Sequence, residues 1–185
     1  MQHTRRRGLI IGVLILAGLV GTALATNPAQ AASGLGPYYA APAWDQKIAP
    51  ATRFLVLTNW GSQAVLDQET GLVWERTPRS TLYRWAEARS ACANQRTIGT
   101  RKGWRLPSVH ELQSLMVHSA AAPALPPGHP FNIVSTDYWS ATSVADVPAN
   151  AWFAGFSTGD MGNGDKFNSG RVWCVRGGMH NADKY

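Results

Sequence analysis

The sequence predicts an α+β fold, with two helices packed on a small, mostly antiparallel, twisted sheet and one disulfide. Three observations predict it. Short strand patterns come first, two helical patterns follow, and strand patterns return at the end, unlike the alternation of a βαβ chain. In mid-chain a Trp-Arg-Leu-Pro run leads directly into a written helix start. Cys92 and Cys174 are the two cysteines, and an even pair in an exported chain reads as a disulfide.

Export is read from the first 31 residues. Arg5, Arg6 and Arg7 form a basic start, Leu9 to Ala25 is an uncharged apolar run, and two small-x-small cleavage patterns follow at Ala23-Leu24-Ala25 and Ala29-Gln30-Ala31. The second is the expected cut, which makes 1–31 a signal peptide and the mature protein periplasmic or extracellular. If uncut, the same run is just long enough to anchor the chain in a membrane. The formal charge of +6 includes those three arginines, and 14 basic against 11 acidic residues remain, about +3. That ordinary balance argues against a nucleic-acid partner.

Residues 32–50 are rich in Ala and Pro and read as a linker or extended arm. A domain is expected over 51–178, with a tail at 179–185. Arg53 to Asn59, Ala64 to Asp67 and Leu72 to Arg76 have strand composition and are separated by turn residues, as in an antiparallel meander. Thr81 is the expected cap of a first helix from Leu82 to about Gln95, with Leu82, Trp85, Ala86, Ala88 and Cys92 on its buried side. In Gly103-Trp104-Arg105-Leu106-Pro107, proline holds Leu106 extended. Ser108 and Glu111 then form a capping box for a second helix from Val109 to about His118. Ala120 to Pro130 reads as a loop. Asp137 to Thr142, Ala151 to Ser157 and Arg171 to Arg176 read as strands. The Gly/Asn/Asp run from Gly159 to Asp165 reads as an irregular loop needing positive φ at several places.

Little of this sequence points to catalysis. His110, His118, His129 and His180 lack zinc spacing, no nucleophile–base order emerges, and no metal or cofactor site is read. Asp160, Asn163 and Asp165 could offer oxygens to a cation, but a run of Gly, Asn and Asp reads first as a turn. Arg96, Arg101, Lys102 and Arg105 form the one basic cluster, a candidate surface for an acidic partner. Of the eight tryptophans, Trp74, Trp85, Trp104, Trp139 and Trp152 are expected in the core. Trp60 and Trp173, beside turn residues, are expected to be exposed.

Arg53-Phe54, Val65-Leu66-Asp67, Thr70-Gly71-Leu72-Val73-Trp74-Glu75, Trp85-Ala86-Glu87-Ala88, Gly103-Trp104-Arg105-Leu106-Pro107, Tyr138-Trp139-Ser140-Ala141-Thr142 and Cys174-Val175-Arg176-Gly177 stand in an order and spacing that resemble the Lcl C-terminal domain family, a domain of unknown function in the C-type-lectin-like superfamily. The resemblance implies a C-type-lectin-like fold, termini brought together by paired strands, and a disulfide from Cys92 on the first helix to Cys174 on the last strand. The stretch from Ala151 to Arg176 is also similar to the variable regions of proteins diversified by retroelements. That likeness implies a framework of Trp152, Phe156, Gly159, Lys166, Ser169, Arg171 and Val172. Phe153, Asp160, Asn163, Asp165, Phe167, Asn168 and Trp173 would then face a ligand. Calcium-dependent sugar binding loses its support, because the Glu-Pro-Asn, Gln-Pro-Asp and Trp-Asn-Asp signatures of sugar-binding lectins are absent. The resulting expectation is an exported, non-enzymatic binding or adhesion module. Its ligand would be a protein or glycan, an anionic polysaccharide among them. The alternatives are an enzyme related to the formylglycine-generating group and a structural envelope component.

Overall fold

The computed structural model describes residues 48–177. The signal-peptide reading, most of the arm and the tail fall outside them. A short helix, α1 (Pro50–Arg53), opens the described chain with proline in its first turn, where a missing N–H costs nothing. The expected meander follows as β1 (Phe54–Val56), β2 (Ala64–Asp67) and β3 (Leu72–Glu75), each antiparallel to the next. β1 is shorter than expected, because Thr58–Trp60 winds into a 3-10 turn.

The next expected boundary moves. Leu82 is 55% exposed, and Tyr83–Arg84 forms a strand, β4, rather than the first turn of a helix. It pairs with Ser169–Gly170, nearly ninety positions along the chain. Helix α2 (Trp85–Ala93) therefore begins after Arg84, whose N–H donates to Glu87 Oε2. Ala88, Ala91 and Cys92 are buried, while Ala86 is exposed. Helix α3 (Val109–Leu115) starts where its capping box says, with Glu111 N–H donating to Ser108 Oγ and Ser108 N–H to Glu111 Oε2. It stops at Leu115 because Met116 is already extended.

The second half forms β5 (Asp137–Ser143), β6 (Asn150–Gly155) and β7 (Asp160–Asp165), a three-stranded antiparallel sheet in that order. The Gly/Asn/Asp run is thus a strand, which corrects the irregular-loop expectation. All six of its residues pair with β6 in unbroken register, and in this run only Gly159 has positive φ, at 84°. Gly162 is needed for closeness instead: a Cβ there would lie 2.5 Å from Cζ of Phe153, its cross-strand partner. The described residues end with β8 (Ser169–Gly170), the partner of β4, and β9 (Val175–Arg176), which pairs with β3. The first sheet runs β1-β2-β3-β9. The first and last strands share this sheet but occupy its two edges, so they are not paired with each other as expected.

Cys92 and Cys174 are bonded across 82 positions, with Cα atoms 5.5 Å apart. Both are buried, so the bond ties α2 to the residue preceding β9 inside the core. A second tie joins α1, β2 and α3. Arg53 donates through Nε to Asp67 Oδ1 (2.9 Å) and through Nη2 to Asp67 Oδ2 (2.7 Å) and the Ser114 carbonyl (2.8 Å). Asp67 is fully buried and also accepts from Thr70 Oγ1. A buried carboxylate is tolerated when so many donors surround it.

Candidate functional site

The residues expected to face a ligand separate into three groups. Asp160, Asn163 and Asp165 are exposed on β7, and Phe167 and Asn168 are exposed on the turn between β7 and β8. Phe153, on β6, is half-buried and lies edge-on to Trp139, with ring centroids 6.1 Å apart. Trp173 is fully buried, which corrects its assignment to the ligand face. Its ring touches those of Phe131, Trp74, Phe156 and Tyr138 at centroid distances of 5.0, 5.4, 5.4 and 5.7 Å. Its indole N–H donates to the Glu75 carbonyl at 2.7 Å. An aromatic with its one donor satisfied can be buried whole, and adjacency to a loop in sequence does not report this.

The turn at Phe167 is built from its neighbours. Asp165 Oδ1 accepts the Phe167 N–H at 2.8 Å, and the Asp165 carbonyl accepts the Asn168 N–H at 2.9 Å. Lys166 is pinned inward: its N–H donates to the Ala149 carbonyl, and its ammonium to Ser143 Oγ and the Pro148 carbonyl. With residues 165, 166 and 168 held, the Phe167 side chain projects outward and is 76% exposed. Beside it, Trp85 donates its backbone N–H to the Lys166 carbonyl. The Lys166 ammonium lies 4.4 Å from the Trp85 ring centroid and the Arg89 guanidinium 5.0 Å. Trp85 was expected in the core; it is half-buried, as is Trp152, whereas Trp74, Trp104 and Trp139 are buried. Trp85 is the site residue that sequence missed. Its signal was the cation four positions along the helix at Arg89, but its pairing with Lys166 needed the fold.

The basic cluster also divides. Arg96 meets the buried carboxylate of Glu75, and burial lowers the pKa of its guanidinium. Arg105 forks onto Glu111 through Nη1 (2.7 Å) and Nη2 (2.6 Å) and reaches the Gly177 carbonyl (2.8 Å). Both are structural cations and leave the candidate patch. Arg101 and Lys102 stay exposed and are joined by Arg176, whose Nε donates to the Lys102 carbonyl. Arg101 and Arg176 flank the Trp60 ring at 5.5 and 5.6 Å. Trp60 itself is buried, which corrects the expectation that it is exposed.

The model of the Lcl C-terminal domain matches residues 63–176. The chain belongs to that family. No curated protein matches it. Within this Lcl C-terminal domain, Trp74, Trp104, Leu106, Tyr138, Trp139 and Cys174 are buried scaffold, while the Phe167 turn lies inside the matched region but outside the core.

Proposed function

We propose that this Lcl C-terminal domain is an exported, non-enzymatic binding module of C-type-lectin-like fold that presents the β6–β7 hairpin and the Phe167 turn to a protein or glycan. The observation that carries the reading is a 76% exposed phenyl ring on a turn whose other positions are fixed by hydrogen bonds. Exposing a large apolar side chain in water gains nothing for the fold, and aromatic anchors on rigid frames are where recognition concentrates. The basic N-terminal stretch and the cysteine pair support export. The lectin-like reading draws on the order of small antiparallel sheets and the bond between α2 and the end of the chain. Arg101, Lys102 and Arg176 would add affinity for an anionic polysaccharide.

The test is a glycan and protein array probed with the native protein and with Phe167→Ala. The expected outcome is a set of hits that the substitution removes or weakens by about tenfold or more, the range of an interface anchor. Identical profiles for the two proteins would sink the assignment of this turn.

A further inference from the structure

β7 is the outermost strand of its sheet, paired with β6 along all six residues. Among the described residues no strand lies on its other side. None of its residues is fully buried. A strand edge in that state presents a row of unused N–H and C=O groups, which is a template for another strand. Edges are commonly shielded by bulky side chains, but β7 carries Gly162 and Gly164, so its backbone is easily approached.

The side chains divide by alternation. Asp160 shares one face with Gly162 and Gly164, and Asp165 shares the other with Met161 and Asn163. The glycine face is occupied by the Phe153 ring, which lies over Gly162 from β6.

We propose that β7 accepts an extended segment of a partner protein as an added strand, with cationic side chains opposite Asp160 and Asp165 and a bulky residue opposite Gly162. This rests on the binding-module reading and narrows its ligand to a protein strand. Neither aspartate forms an ion pair among the described residues. Each directly faces one position of an added strand, where an opposite charge stabilises the pair and a like charge destabilises it. The two aspartates project to opposite faces, and cations at the matching interval in an added strand do the same. A large side chain opposite Gly162 stands on the face where the Phe153 ring already covers that glycine, and packs against the ring.

The experiment uses the disulfide-bonded protein and three capped hexapeptides followed by backbone amide NMR. The first is Lys-Tyr-Thr-Tyr-Val-Lys, the second has Glu at both ends, and the third is the first with its interior amides N-methylated. The first peptide is expected to shift the amides of Met161 to Gly164 and slow their exchange. The N-methylated peptide is expected to do neither, and the Glu-ended one to bind roughly fivefold more weakly at low salt. Asp160→Lys should narrow or reverse that preference. Equal binding by all three peptides overturns the proposal, as does the absence of any shift on β7 at millimolar peptide. Concentration-dependent dimerisation through β7 also overturns it, by giving the edge to a second copy. Shifts confined to Phe167 and Trp85 overturn it too, while leaving the binding-module reading intact. Peptide binding on β7 alongside identical native and Phe167→Ala arrays sinks the turn assignment instead.

Discussion

Trp173 and Phe167 are both large aromatics near the end of the chain, yet they have opposite fates. Trp173 touches four aromatic rings and has its donor satisfied. Phe167 is held out on a turn. Their substitutions should therefore separate stability from recognition. Trp173→Ala is expected to cost about 3–5 kcal/mol in denaturant unfolding, the range for emptying a buried aromatic site. Phe167→Ala should stay within about 0.5 kcal/mol of the native protein, as exposed positions usually do. A large loss for Phe167→Ala would mean that the ring is packed after all. Sequence named Phe167 only through the likeness to variable regions, among residues facing a ligand, and the turn that exposes its ring is built by Asp165 and Asn168. It misplaced Trp173 and Trp60, because burial of an aromatic depends on which distant rings meet it.

At the scale of elements, the run from Gly103 to Leu112 was legible almost completely. Proline geometry and the Ser108–Glu111 capping box are local, so the start of α3 was correctly read. What sequence did not reveal is that Glu111 has a second task. Its carboxylate also takes both prongs of Arg105, whose backbone pairs with Val175 in β9. The two substitutions should therefore differ. Ser108→Ala removes one capping hydrogen bond and is expected to cost about 1 kcal/mol. Glu111→Ala strands a partly buried guanidinium and is expected to cost about 3 kcal/mol. Equal losses by chemical denaturation would show that the ion pair adds nothing beyond the cap. Elements made by tertiary pairing were harder to read. Tyr83–Arg84 looked like the start of a helix and became β4 only because Ser169–Gly170 lies beside it. β7 looked like a loop, since glycine is a poor strand former, and became a strand because β6 and the Phe153 ring fit its bare backbone.

For the whole molecule, the disulfide and the Arg53–Asp67 fork are two buried ties between elements distant in sequence. The bond between Cys92 and Cys174 encloses a loop spanning 82 positions, worth about 4 kcal/mol in the chain-entropy model. Both sulfurs are buried, so a mild reductant should leave the folded protein unreacted and act only when the domain opens. The paired substitution Cys92→Ser with Cys174→Ser is expected to lower stability by roughly that amount while the fold persists. Rapid thiol labelling of the native protein after gentle reduction, with no change in amide NMR spectrum, would show that the bond is not a structural staple.

The sequence by itself determined the α+β class, the β1–β3 meander, the start of α3, the cysteine pair and the family signature. These follow from periodicity, capping and turn chemistry, which act over a few residues, and from the order of motifs. Only the tertiary structure decided which tryptophans are core, which arginines are already neutralised by Glu75 and Glu111, and that the glycine-rich run is an open strand edge. Those outcomes depend on partners far along the chain, and burial and charge pairing are properties of what meets in space.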